Sequence, residues 1–185
     1  MGVPDTYTID EQVALAECRK GSRMAQKFFY DKYVDSMLLL CIRYVKDHED
    51  AKEACMDGFY NFFKNIDKFE WQGEGSISAW LKKIVVNQCL MHLRKKKDLI
   101  IASDDMNVYE GVAVDISALD TMAAKEIISL IQELPAGYRT VFNLYALEGK
   151  THKEIAALLQ ISENTSKSQL HKAKTMLKEK IKLMY

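Results

Sequence analysis

The segment THKEIAALLQISENTSKSQLHKAKTML, residues 151–177, constrains the fold of this chain more than any other stretch. Thr151 followed three residues later by Glu154 is a capping box, which starts a helix at residue 152. That helix runs to 159, the turn Gln160-Ile161-Ser162 interrupts it, and a second helix extends from about Glu163 to Met184. Ile155, Ala156, Leu159, Ile161 and Leu170 fall where two helices joined by so short a turn bury their contact, and Ala156 is small enough for close approach. Asn164, Thr165, Ser166, Lys167, Ser168, His171, Lys172 and Lys174 are placed outward on the second helix. Hydroxyl, amide and cationic groups on one exposed helix are the chemistry of phosphate and major-groove contact.

The overall charge is zero, with 26 basic and 26 acidic residues, but the distribution is uneven. Residues 98–119 carry five carboxylates (Asp98, Asp104, Asp105, Glu110, Asp115) and no Lys or Arg. Residues 150–185 carry eight lysines against Glu154, Glu163 and Glu179, a net +5. The basic end is where a polyanion is expected to bind. Eight Gly and two Pro in 185 residues favour helices over a turn-rich β fold. No apolar run approaches the roughly 20 residues of a membrane span, and the polar start MGVPDTYTIDEQ lacks the pattern of a signal peptide. The expected setting is therefore cytoplasmic, without membrane insertion. Cys18, Cys41, Cys55 and Cys89 are widely spaced, form no CxxC pair and are expected to be reduced and buried. Neither they nor the four histidines have metal-ligand spacing. No cofactor is expected. No nucleophile–base pair, no carboxylate pair with a His and no phosphate-cradling Gly loop is evident, so binding rather than catalysis is expected.

Upstream, apolar periodicity places helices at 9–20 and 22–45, separated by Gly21-Ser22, with Ser22 as the second cap. A third helix spans about 49–66, a Gly-containing loop 67–77 carries Trp71, and a fourth helix runs from 78 to 97, ending in Arg94-Lys95-Lys96-Lys97. Residues 98–119 have weak periodicity and predict a flexible acidic linker. Further helices follow at 120–133 and, after Pro135, 136–147, with Gly149 as a left-handed stop. The chain is thus expected to be all-α, with two small helical domains at 9–97 and 120–185.

Residues 151–177 resemble region 4 of RNA polymerase sigma factors. The stretch Asn164-Thr165-Ser166-Lys167-Ser168-Gln169-Leu170-His171-Lys172-Ala173-Lys174 matches that family's second helix, and Leu134-Pro135, Tyr138-Arg139 and Val141-Phe142 match its entry. Similar helix pairs occur in response-regulator output domains, so this half alone leaves open a regulator that binds duplex DNA without being a polymerase subunit. The other half narrows the choice. Glu49-Asp50-Ala51-Lys52-Glu53 with Phe59 and Phe62-Phe63 resembles the family helix that docks on a coiled coil of the polymerase β′ subunit. Ala79-Trp80-Leu81, Ile84, Asn87 and Arg94-Lys95 resemble the element that recognises and opens the −10 promoter sequence. With only these two regions and a linker, the chain is identified as a member of the extracytoplasmic-function (ECF) group of sigma factors.

That resemblance implies core polymerase (β′ clamp and β flap) and promoter DNA as partners, and an anti-sigma factor as a further expected one. It implies docking through Asp50, Glu53, Phe59 and Phe62. It assigns −10 contact to Trp71, Lys83, Asn87, Arg94 and Lys95, and −35 contact to Thr151, Thr165, Ser166, Lys167, Ser168, His171, Lys172 and Lys174. Trp71 is either a platform on which a base stacks or a lid folded back on the protein, whereas Trp80, in line with Leu81 and Ile84, is expected in the core. The chain departs from the family pattern at Met56-Asp57, where a Gln usually precedes the acid, and at Asn164 and Ser166, where Gly and Val are usual. Lysines stand for arginines on the last helix, which lack the bidentate fork that reads guanine, so selectivity is expected to lean on Ser168, His171 and DNA shape.

Overall fold

The structure, a computed structural model, describes residues 10–96 and 122–184; the expected linker and most of its flanks lie outside the described residues. Eight α-helices make up the described fold: α1 (Glu11–Arg19), α2 (Arg23–Tyr44), α3 (His48–Lys64), α4 (Ser76–Lys95), α5 (Met122–Gln132), α6 (Ala136–Phe142), α7 (His152–Leu159) and α8 (Glu163–Met184). Their starts are set by side chains that accept from otherwise orphaned first-turn N–H groups. Asp10 accepts from Gln12 at 3.1 Å, Ser22 from Ala25 at 3.4 Å, and Asp47 from Asp50 at 2.9 Å. Gly21, at φ +82°, makes the reversal between α1 and α2.

The first four helices close on an aromatic and aliphatic core. Phe29, Phe59, Phe62, Ile77, Leu81, Val85 and Leu93 are all essentially inaccessible. Phe62 joins α3 to both neighbours: its ring meets Phe29 edge-on at 5.8 Å and Trp80 at 5.2 Å. Trp80 also lies 5.0 Å from Phe69; it is half-buried and packs against the core from its edge, less enclosed than its spacing predicts. α2 packs against α1, α3 and α4, which is why its buried residues Ala25, Phe29, Tyr33, Met37, Leu40 and Cys41 run along most of its length. The four cysteines are free and buried among these helices.

Two stretches differ from the periodicity. The expected loop 67–77 is shorter than predicted: residues Ile66–Lys68 form a 3₁₀ turn and α4 already begins at Ser76, after Gly75 at φ +80°. The expected single helix 136–147 changes winding at residue 143. Asn143–Leu147 is a π turn, closed by the Glu148 N–H donating to the Asn143 carbonyl at 3.0 Å. The extra residue in that turn re-aims the side chains on it. Gly149, at φ +67°, then ends the helix as expected.

The second set of helices packs around Leu134, Val141, Leu144, Ile155, Leu170 and Ala173. It rests on the first through α5 and α6, which lie against α2, and Ile128, Val141 and Leu144 belong to one apolar cluster with Tyr44 and Val45. Polar groups frame this seam. Gln132 Nε2 donates to the Ile42 carbonyl at 3.0 Å, Arg139 Nε to the Tyr44 carbonyl at 3.0 Å, and Asn143 Nδ2 to the Arg43 carbonyl at 2.7 Å. Arg139 Nη1 also donates to the Gln132 and Leu134 carbonyls within its own unit.

Candidate nucleic-acid interface

The helix pair α7–α8 is built as its sequence predicts. The Thr151 hydroxyl accepts from the Glu154 N–H at 3.3 Å, and Glu154 Oε2 accepts from the Thr151 N–H at 2.8 Å, completing the capping box. These bonds from the Thr151 backbone and hydroxyl hold the Glu154 carboxyl below its ordinary titration range. The turn that follows passes through Gln160 at φ +57°, a left-handed position taken without glycine. Ser162 then caps α8, accepting from the Thr165 N–H at 2.9 Å and pairing with the half-buried Thr165 hydroxyl at 2.8 Å.

Along α8, Lys167, Ser168, His171, Lys172 and Lys174 are exposed on the outer face, and Thr151 is exposed at the start of α7. Two of the lysines lie over aromatic rings: Lys172 Nζ is 5.7 Å from the Tyr138 centroid and Lys174 Nζ 5.5 Å from Tyr145. Such contacts fix the cations in position without neutralising them. Tyr145 in turn stacks on His152 at 4.7 Å. Ser166 stands apart from this set. It is fully buried, with its hydroxyl 2.9 Å from His152 Nδ1, and so it joins α7 to α8 instead of facing a groove. Helical spacing from Lys167 leaves its side open, and only the tertiary contact shows it inward.

The exposed side of α4 carries Lys83, Asn87, Arg94 and Lys95, with Met91 between them. Spacings of four, four and three residues stack Lys83, Asn87, Met91 and Arg94 in one stripe. Arg94 is engaged: its guanidinium donates to the Leu158 carbonyl near the end of α7. Trp71, in the loop before α4, is half-buried and packs against the core, lining a shallow cleft with Val13, Ala16 and Arg19 of α1. The lid alternative describes its position. Arg19 ties the same loop down by donating to the Phe69 carbonyl.

On α3 the expected docking residues separate. Glu53 is exposed, whereas Phe59 and Phe62 are core residues at 2% and 0% exposure and form the wall behind the face. Asp50 is half-buried and turned toward the end of α4, where Lys96 and His92 pair with it. Burial pushes its carboxyl up, but the hydrogen bonds and charges of Lys96 and His92 outweigh that and leave it below its ordinary value. Facing out beside Glu53 are Met56, Asp57 and Tyr60; Met56-Asp57 is the departure from the family pattern noted above, whereas Tyr60 was not singled out in the sequence. Their signal was present: 53, 56 and 60 share one helical face. Tyr30 of α2 supports this patch, its hydroxyl 3.7 Å from the Met56 sulfur.

Comparison with known proteins agrees with this arrangement. The family description "Sigma-70 region 2" matches residues 29–98, and "Sigma-70, region 4" matches residues 124–177. The RNA polymerase sigma-H factor of Pseudomonas aeruginosa is 25% identical over 175 residues, covering 89% of this chain and 90% of its own length. The ECF RNA polymerase sigma factor SigW of Bacillus subtilis is 26% identical over 179 residues, covering 91% and 95%. Among solved structures, CnrH in complex with the cytosolic domain of CnrY has a TM-score of 0.50 at 18% identity, covering 94% of this chain and 97% of that one. The sigma factor RpoE in complex with the anti-sigma factor NepR from Bartonella quintana has a TM-score of 0.54 at 20% identity, covering 84% and 96%. These structures share the fold. A regulator that binds duplex DNA outside the polymerase is not favoured, because such a regulator has no use for a region 2. With both regions matched, in order and over most of its length, the chain belongs to the sigma-70 family and is an ECF-type sigma factor that directs transcription initiation by RNA polymerase.

Proposed function

We propose that this sigma factor divides promoter recognition between α4 and α8 and docks on core polymerase through the outer face of α3. The observation that carries the proposal is the separation of three exposed surfaces on rigid helices: Glu53-Met56-Tyr60, Lys83-Asn87-Arg94-Lys95, and Lys167-Ser168-His171-Lys172. The first is apolar with an acidic rim, and Met adapts to an imperfect partner surface; it supports docking on the β′ clamp. The α8 face, with Lys172, Lys174 and Thr151 around it, would lie in the −35 major groove, its lysines on phosphates and Ser168 and His171 toward base edges. The α4 stripe supports capture of the opened −10 strand, with the adjoining loop as one wall. Trp71 serves there as packing that fixes the loop rather than as the stacking platform itself.

The function is binding, in the cytoplasm, where the polymerase works. The proposed domain limits are 9–97 and 120–185 with an acidic linker 98–119; the family matches at 29–98 and 124–177 support a division of this kind. CnrH and RpoE are each held by a partner in their solved structures, and an anti-sigma factor is proposed for this chain on the same ground. Run-off transcription with purified core polymerase on a promoter library tests the assignment. Promoter-dependent transcripts are expected only when the protein is added, and Glu53→Lys combined with Tyr60→Ala should abolish them by preventing core binding. Transcription unaffected by that pair would sink the proposed docking face.

A further inference from the structure

The outer face of α4 changes character along its length. Toward the helix start it presents Lys83 and Asn87, and toward the end Arg94 and Lys95. Between Lys83 and Arg94 there is no Lys, Arg, Asp or Glu. Met91 stands in that gap with its side chain 57% exposed. Helical register fixes this exposure. Ile77, Leu81, Val85, Cys89 and Leu93, four residues apart, form the buried line of α4, and residue 91 falls on the far side of the helix from them. Neither tryptophan of this unit supplies an apolar group on that face, because Trp71 and Trp80 are half-buried against the core.

A single exposed methionine on a helix is ordinary. The surroundings of Met91 give it a use. Duplex DNA carries one phosphate charge per roughly 1.7 Å of axis, and a single strand carries half that density at the same rise. The adjacent cations Arg94 and Lys95 suit the denser charge of a duplex. Lys83 and Asn87, one cation and one amide a turn apart, suit a single strand whose base edges are open to hydrogen bonding. The change from one to the other falls at Met91, about 6 Å along the axis from Asn87 and about 5 to 6 Å from Arg94 and Lys95. Each of these spans is under about two base steps at 3.4 Å.

We propose that Met91 is a strand-separating wedge: its thioether enters the base stack at the junction of duplex and opened strand, while Arg94 and Lys95 hold the duplex beside it and Lys83 and Asn87 take the parted strand. The inference rests on the −10 role proposed for α4, and adds to the residues that bind the strand one that opens it. Cations alone favour the denser charge of the duplex and give the strands no reason to part. An apolar group that leaves water only on entering the stack favours the opened form. Methionine suits the task, being long, unbranched and polarizable, and it is among the apolar side chains that proteins insert between base steps.

The test uses holoenzyme assembled from core polymerase and the full chain, on a promoter fragment with a fluorescent adenine analogue in the −10 element that brightens on unstacking. The same fragment with its −10 pairs mismatched is a pre-opened control. Met91→Ala should slow opening of the duplex fragment on the order of tenfold, through loss of one apolar side-chain end from the stack. Closed-complex affinity and binding of the mismatched fragment should change by less than about twofold, as for an interaction made only in the opened form. Met91→Leu, apolar and of like volume, should keep most of the rate. Met91→Gln, of like length but polar at its tip, should be as slow as the alanine variant. Opening of the duplex by Met91→Ala or Met91→Gln at the unaltered rate overturns the wedge, and so does an equal loss on the mismatched fragment. Should the alanine variant fail to fold, the contrast between the Leu and Gln variants decides the matter in the same way. Lys83→Ala combined with Asn87→Ala separates the wedge from the reading beneath it: affinity for the mismatched fragment should fall on the order of tenfold. An unchanged affinity would refute α4 as the −10 surface, whereas a fall together with an unaltered Met91→Ala rate refutes the wedge alone.

Discussion

Gly58 lies at a close approach of α3 to α4, and its replacement tests the spacing that sets the docking face against the DNA-binding stripe. A Cβ built at Gly58 would lie 2.6 Å from Val85 Cγ2, and 3.4 Å from both Val85 Cα and Cβ. Favourable carbon contacts begin near 3.5 Å, so the two helices must separate by several tenths of an ångström. Rotating Val85 gives little relief, because its Cα and Cβ are already in contact and a β-branched side chain on a helix has one preferred rotamer. Overpacking of this kind costs about 2 kcal/mol, of which a Gly-to-Ala gain in helix propensity offsets about 1 kcal/mol. Gly58→Ala should thus destabilise by about 1 kcal/mol. Val85→Ala alone leaves a cavity at a fully buried site and should cost about 2 kcal/mol. In the double variant the new methyl fills the vacated space. Its cost should return to about 1 kcal/mol instead of the additive 3, a coupling of about 2 kcal/mol. Urea unfolding followed by tryptophan fluorescence isolates the relevant unit, because both tryptophans, Trp71 and Trp80, lie in it. Additive single effects, within about 0.5 kcal/mol, would refute the claim that this glycine exists for Val85.

Two other outcomes discriminate between neighbours in sequence. Lys167→Ala should weaken duplex −35 binding by holoenzyme and reduce its salt dependence by about one counterion while leaving the melting temperature unchanged; Ser166→Ala, at a buried hydroxyl bonded to His152, should lower the melting temperature, and a change in DNA affinity without one would contradict its placement. The Asp50 carboxyl, held below the ordinary aspartate range by Lys96 and His92 against the upward push of burial, contributes stability that is complete above the unfolded carboxylate range and is lost as pH falls through the lower folded value. The difference in urea midpoint between the unaltered protein and Asp50→Asn, worth on the order of 1 kcal/mol at neutral pH, should accordingly persist at pH 5 and shrink as pH falls below the ordinary aspartate range; a difference independent of pH would show that the ion pair is not its source.

Periodicity and capping chemistry made most of the secondary structure and the identity of the α7–α8 pair legible in the sequence. Thr151 with Glu154, Ser22 and Gly149 act within a few residues of themselves, and their roles survive any packing of the rest. The exposed lysines of α8 and the stripe of α4 were legible for the same reason, since a helix fixes which residues share a face. What the sequence by itself did not determine is which polar or apolar residue on a face turns inward. Ser166 looks outward by type and pattern, but it meets α7, and a contact between helices distant in sequence leaves no local trace; Phe59, on the apolar side of its helix by spacing, was given a docking role only by the resemblance and is buried against α2. The same holds for the seam. Gln132, Arg139 and Asn143 read as ordinary polar residues along α5, α6 and the turn after them. Only the tertiary structure, by carrying the end of α2 to them across about a hundred residues, turns them into caps for carbonyls that α2 cannot satisfy alone.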